Sequence, residues 1–463
     1  MRAGIVAGVT LAATLMGGAA SAQDVETLRK ELDQMRQRFE RMQQEYQSAI
    51  QTMAERLQRL ETQPQATAAP PPAAAQAPPP APAAAGVTAS ELLRVRQPFA
   101  LYQQRGAGQL LFDMGVVGDF IGNVTQRNVQ KASGGSFAGL ENRFFPREIE
   151  LVLFGQVDPY ARAEVRIEAG EEERGQETGV ALAEAHVTLL TLPWGLQAKL
   201  GQMRNRFGWS NQIHEHDLPW PDRPNVFRNF LGAEALQEKG VEVTLVPELP
   251  FYLEGLVGVF NGDNETSFGR GSLREPLVTG RLRTFLEPTD TTGLQLGVFG
   301  AAGTNPDRRN TTLLGGEARF KHRPEGWLHP LFTLTGEALY SMRRTNVDDD
   351  PDEDGSIDRI DKRDHNRFGW YAGAELQPWR RWAGGVRYDW SQYPVNPGRE
   401  WAVEPYLTFK PSEFLRFRLA YKHTDRSHRE GFDPDGRGGS ARLVDEWLFQ
   451  ATFILGAHRA DNF

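Results

Sequence analysis

The sequence predicts an all-β transmembrane protein: a closed antiparallel barrel of sixteen strands, preceded by an α-helical coiled coil. Three observations predict it. Apolar and polar residues alternate with period two in segment after segment of residues 99–463. The links between these segments alternate between short, proline-bearing turns and longer polar loops. Ahead of them lies a heptad seam, set off by a spacer rich in alanine and proline.

Composition bounds the class. The chain has 463 residues, enough for one large domain with accessory segments. Its net charge of −8 and its many residues of both signs give no reason to expect a nucleic-acid partner. Cysteine is absent, which fits passage through an oxidising compartment. Mean hydropathy is −0.50, and past the N-terminus no apolar run reaches the length of a membrane helix. A membrane barrel keeps low hydropathy because half of each strand faces water.

Residues 1–22 read as a secretory signal peptide. Arg2 gives the positive start, the run to Met16 is apolar, and Ala20-Ser21-Ala22 forms a small-residue cleavage site. Residues 23–62 are the coiled coil: Val25, Leu28, Leu32, Met35, Phe39, Met42, Tyr46, Ala49, Met53 and Leu60 step by threes and fours, with Arg56 interrupting. So narrow an apolar stripe needs partner helices, which predicts an oligomer, a homotrimer if the barrel is trimeric. Residues 63–98 form the linker; Pro70-Pro71-Pro72 and Pro78-Pro79-Pro80 make it extended and semi-rigid.

Residues 99–463 form the barrel. The expected strands span 109–120, 146–156, 159–169, 179–191, 195–203, 238–247, 251–261, 276–287, 292–303, 312–322, 329–343, 367–377, 381–391, 400–410, 413–424 and 443–457. In the third, Ala161, Ala163, Val165 and Ile167 share one face, and Arg162, Glu164, Arg166 and Glu168 the other. The short links carry Pro159, Pro193, Pro247 with Pro250, Pro288, Pro324, Pro378 and Pro411, where a preset φ suits a tight turn. Apolar faces belong against lipid and charged faces in a wet lumen. Trp194, Trp379, Trp382 and Trp401 fall near the rims, as interfacial girdles require. The chain closes on Phe463, which resembles the C-terminal assembly signal of outer-membrane proteins. The expected location is therefore the bacterial outer membrane, with the coiled coil in the periplasm.

A family resemblance rests on Phe145-Pro146-Arg147-Glu148-Ile149-Glu150-Leu151, Glu184-Ala185-His186-Val187, Leu200-Gly201-Gln202-Met203-Arg204-Asn205-Arg206-Phe207-Gly208 and Gly258-Val259-Phe260-Asn261-Gly262. These stretches resemble the phosphate-selective porins. The resemblance implies a passive, trimeric channel of sixteen strands behind a coiled coil. It does not fix phosphate as the solute, because the lumen face mixes signs. Arg162, Arg166, Lys199, Arg281, Arg283, Arg319, Lys321, Arg416, Arg418 and Lys422 face Glu148, Glu150, Glu164, Glu168, Glu184, Glu242, Glu317, Glu375 and Glu404.

The longest non-strand segment, 204–236, is either a constriction folded into the pore or an exposed external loop. It carries Arg204, Arg206, His214, Glu215, His216, Asp217, Trp220, Asp222, Arg223 and Arg228. As a constriction it joins the lumen cations in a mixed field that orients polar solutes. His214-x-His216 with Asp217 is also a transition-metal pattern. Between the eleventh and twelfth strands, Asp350, Asp352, Asp354, Ser356, Asp358 and Asp361 fall at EF-hand-like spacing with Gly355 at the sixth position. Calcium in that external loop is the one cofactor the spacing suggests, and none is required.

No catalytic set stands out, so the expectation is not an enzyme: Gly-x-Ser-x-Gly and Gly-Lys-Ser/Thr are both missing. The expected function is passive diffusion of small polar or anionic solutes. The alternatives are metal- or solute-specific uptake through the histidine loop, and a structural envelope tether whose coiled coil reaches the cell wall. Expected partners are small polar solutes, outer-membrane lipid and copies of the same chain.

Overall fold

The computed structural model describes residues 101–105, 108–132, 134–173, 176–177, 179–264, 266–349, 359–427 and 442–456. The expected signal peptide, coiled coil and linker lie outside the described residues, as do Asp350, Asp352, Asp354, Ser356, Asp358 and Phe463.

Alternation becomes a ring of strands: β1 Gly108–Thr125, β2 Arg143–Asp158, β3 Ala161–Ala169, β4 Ala181–Leu189, β5 Leu196–Arg204, β6 Gln237–Leu245, β7 Tyr252–Phe260 and β8 Leu277–Thr289, then β9 Thr292–Thr304, β10 Asn310–His322, β11 Phe332–Asp349, β12 Arg359–Trp379, β13 Trp382–Gln392, β14 Arg399–Ser412, β15 Leu415–Ser427 and β16 Leu443–Gly456. The main sheet has seventeen strands; Leu101–Arg105 pairs with the start of β1, which leaves sixteen in the ring among the described residues. Each is antiparallel to its sequence neighbours, and β16 closes on β1 from Glu446↔Thr125 to Gly456↔Gly115. Sixteen was the number expected, at nearly the expected positions.

The ring inverts the usual distribution of polarity. Glu150, Glu242, Arg281, Arg387, Glu404 and Lys422 are buried inside it, while Val257, Val298, Leu334, Leu419 and Phe449 are exposed outside. Outward aromatics gather in two belts. Trp390 pairs across strands with Trp401 toward the long-loop rim. Trp194, Trp379 and Trp382 lie exposed at the short-turn rim.

Three differences from the sequence reading have physical causes. Pro288, Pro378 and Pro411 do not sit in free turns. They lie inside β8, β12 and β14, at register shifts between Leu286 and Thr289, Leu376 and Trp379, and Phe409 and Ser412. A proline cannot donate to the ladder, and a bulge is where a strand tolerates it. Asp361 is not a loop residue: its backbone pairs with Val347, and the β11–β12 ladder runs out to Asp349↔Arg359. Finally, the lumen is not uniformly wet, because residues 205–236 fold into it and bring an apolar cluster with them.

The central outward residue of β9 is Val298, which is 60% exposed. Val298→Arg should destabilise the barrel by about 2–4 kcal/mol in bilayers, since a charge there faces hydrocarbon. Equilibrium refolding into phospholipid vesicles measures this; an unchanged midpoint would contradict the assignment of the outer face.

Candidate functional site

Residues 205–236 join β5 to β6 and carry two short helices, α1 Trp209–Gln212 and α2 Asn225–Leu231. Pro224 precedes α2, and Gly232 ends it at φ +85°, its N–H donating to Arg228 O at 2.9 Å. Phe207, Trp209, Leu218, Trp220, Val226, Phe227 and Phe230 are buried. They pack on a shelf of inward residues from β7 to β12, including Phe260, Leu277, Phe299, Leu313, Leu339 and Tyr371. The wall is cut to receive them. A Cβ on Gly373 would come within 2.7 Å of the Trp220 ring, and one on Gly369 within 2.6 Å of Val226.

Polar anchors fix this loop around the circumference. Glu337 of β11 accepts the Trp209 and Ser210 N–H groups at 2.7 and 2.9 Å. Asp389 of β13 accepts Asn225 N–H at 3.0 Å, and Glu400 of β14 accepts the Asn229 side-chain amide at 3.0 Å. Arg418 of β15 donates to Leu218 O at 2.9 Å. Arg147 of β2 donates to Pro221 O. The tightest knot is Asp222, which meets Arg387 at 2.6 Å and also the Lys422 ammonium. Burial alone would raise the Asp222 carboxyl; Arg387 and then Lys422 outweigh it and hold it well below the usual carboxylate range.

The expected lumen cations fall into three groups. Arg162, Arg166, Lys199, Arg204, Arg206 and His214 line one cavity of about 180 Å³ between loop and wall. Arg281 and Arg283 lie on β8 beside it: Arg281 pairs with Glu317 and reaches Gln212 at 3.2 Å, while Arg283 pairs with Glu254 at 3.0 Å. Arg416 and Arg418 stand apart on β15, with Arg416 lining a second cavity of about 230 Å³ near the short-turn rim. A third cavity of about 710 Å³ holds Glu215, Asp222, Arg223 and Arg228 beside Arg147, Arg343 and Arg426.

His216 does not line the first cavity. It stacks on His214 with ring centroids 5.6 Å apart, and the two rings face Glu148 and Glu150 of β2. His214 Nδ1 is 3.1 Å from Glu150, and His216 Nδ1 is 3.1 Å from Glu148.

Sequence reasoning missed several anchors. Glu337, Tyr371, Arg387 and Asp389 stood within expected strands, but nothing local showed that a loop would reach them. Arg147 was also passed over as a lumen residue, because strict alternation puts it with the outward set. A register shift places Phe120 opposite Pro146 and Asp119 opposite Glu148, so Arg147 turns inward to Asp119 at 2.6 Å.

A closed antiparallel ring, apolar outside and charged inside, is the architecture of membrane-spanning β-barrels. Residues 16–63 match the family described as the C-terminal leucine zipper domain of cyclic nucleotide-gated channels. A relative from Aquifex aeolicus, described as an uncharacterized protein, is 28% identical over 352 residues, covering 68% of this chain and 69% of its own. Among solved structures, the outer membrane channel DcaP of Acinetobacter baumannii aligns with TM-score 0.49 at 12% identity, over 76% of this chain and 99% of that one. The anion-selective porin of Comamonas acidovorans gives 0.48 at 10% identity, over 75% and 98%.

Asp222→Ala would leave Arg387 and Lys422 without their shared partner. The free energy of opening the loop should fall by about 3–5 kcal/mol. Hydrogen exchange should speed at the amides of Trp209 and Asn225 while the strands stay protected; unchanged loop protection would refute the anchoring role.

Proposed function

We propose that this protein is an outer-membrane porin that passes small polar or anionic solutes through its barrel, with residues 205–236 limiting the opening. The observation that carries the reading is a charged interior inside an apolar ring of sixteen strands. Barrels of this strand number leave an aqueous channel unless something fills it. Here a pinned loop fills part of it, which favours a small opening over a general pore.

Charge supports a modest preference for anions. The cavity between loop and wall places Arg162, Arg166, Lys199, Arg204 and Arg206 against Glu164 and Glu184. Strong phosphate selectivity, which the family resemblance suggests, calls for cations without carboxylate partners. Arg166 instead meets Glu150 at 2.8 Å and Glu164 at 2.7 Å, and Arg206 meets Glu242 at 2.6 Å. Mixed signs at close quarters orient a dipolar solute more than they sort ions.

Reconstituted into planar bilayers, the purified protein should give discrete conductance steps. In a salt gradient its reversal potential should fall on the anion side, far from the ideal limit. Lys199→Glu should move that potential toward cation preference. Absence of steps at any voltage would remove the porin reading.

We also propose a homotrimer whose N-terminal helices help hold it together, supported by the heptad seam and by the leucine-zipper match at 16–63. Deleting residues 23–98 should lower the yield of cross-linked trimer in detergent. An equal yield with and without that segment would count against it.

A further inference from the structure

We propose that Glu148, Glu150, His214 and His216 form a binding site for one divalent transition cation of the Zn2+ class, which clamps the inner loop to β2. The assignment rests on where these side chains come from and how they are oriented. Two adjacent inward carboxylates on β2 meet two imidazoles at i and i+2 of the loop. One ligand atom from each lies within 4.8 Å of all the others.

The geometry suits a metal better than two separate ion pairs. Each imidazole turns its Nδ1 to the β2 carboxylates, at 3.1 Å in both cases. A tetrahedral ion with bonds near 2.0–2.1 Å holds its ligand atoms roughly 3.3 Å apart, so this separation matches a coordination edge. His214 Nδ1 and Glu150 Oε2 are both buried, and neither makes an aligned hydrogen bond despite their closeness. Two acceptors that face one another without a bond between them are arranged as ligands of a common centre.

The outer contacts repeat the same design. His214 turns its Nε2 to a third carboxylate, Glu184, at 2.8 Å. His216 turns its own to Asp217, at 3.3 Å. The carboxylate hydrogen-bonded behind His214 favours the tautomer that leaves its Nδ1 as the donor atom to metal, and raises its basicity. Two imidazole nitrogens with two carboxylate oxygens suit Zn2+, Co2+ and neighbouring ions, whereas Ca2+ wants six to eight oxygens.

The bulge at Arg147 belongs to this arrangement. It shifts the inward parity of β2 from Phe145 and Arg147 to Glu148 and Glu150. That brings Arg147 to Pro221 O and both carboxylates to the histidines, so one strand grips the loop at neighbouring points. His214 also lines the cavity between loop and wall, yet occupancy of the site can be scored on protein that is never placed in a bilayer.

The test uses the mature chain without a histidine tag, folded in detergent, stripped with EDTA and desalted. Zn2+ titrated calorimetrically should bind one equivalent per chain. Co2+ should give the intense visible bands of four-coordinate ligation. His214→Ala with His216→Ala should abolish both signals, as should Glu148→Gln with Glu150→Gln. Glu184→Gln should keep the stoichiometry but weaken affinity about 10–100-fold. His329→Ala, elsewhere in the barrel, should bind as wild type. Heat-modifiable migration on gels confirms that each variant is folded. Should the double variants not fold, the wild-type stoichiometry, the Co2+ bands and Glu184→Gln decide the matter. Failure of the folded wild-type protein to bind Zn2+ would overturn the site, as would equal binding in a folded double histidine variant or only weak six-coordinate Co2+ bands.

Discussion

The ladder between β16 and β1 is the interaction on which the rest of the structure depends. It turns an open sheet, whose two edges would show unpaired N–H and C=O groups, into a ring with none. In hydrocarbon each such group left unpaired costs several kcal/mol. Closure also fixes which face of every strand is inside. Once Trp447 points out and Glu446 points in, the register carries that choice around the circle to Val124 and Asn123.

Within that ring the wall is uneven, and the loop matches it. Toward the long-loop rim, β7 to β12 present an apolar shelf of Phe260, Leu277, Phe299, Leu313 and Leu339. Glu148 and Glu150 of β2, Glu184 of β4, Arg387 and Asp389 of β13, and Arg418 and Lys422 of β15 present charge. The loop sets Trp220, Phe227 and Phe230 on the shelf, and turns His214, His216 and Asp222 to charged positions. Apolar contact supplies the attraction. The buried ion pairs add little net stability once desolvation is counted, but they penalise any other placement, because a displaced loop would take Asp222 from Lys422, whereas Arg387 would keep Asp389 and Glu404.

How much of this was legible followed from the range of each interaction. Strand positions were legible because alternation is local; Ala161 to Glu168 declares its two faces without reference to anything else. The lumen charges followed from the same alternation. What failed were features that depend on a partner distant in sequence or on a break in the period. Gly373 gives no sign that Trp220 will fill its space, since 153 positions separate them. Arg147 gave no sign of facing the lumen, because the inserted residue that turns it inward breaks the alternation. The inner loop's length was visible, whereas its direction was set by apolar residues without a period, whose place inside the barrel only the shelf explains.

The loop's attachments bear directly on what can pass. A segment held from one side could swing aside for a solute. This one is fixed to β2 through Arg147, to β11 through Glu337, to β13 through Arg387 and Asp389, and to β15 through Arg418. Opening it would break buried charge-assisted hydrogen bonds on several walls together, and such bonds are each worth more than neutral ones. On the proposed porin reading, solute size is therefore set by the fixed gaps beside the loop and not by its motion. The gap beside β3 to β6 is small and lined by both signs. A solute small enough to enter meets Arg166 and Glu164 within one side chain's reach. On the proposed porin reading, its dipole counts for more than its net charge.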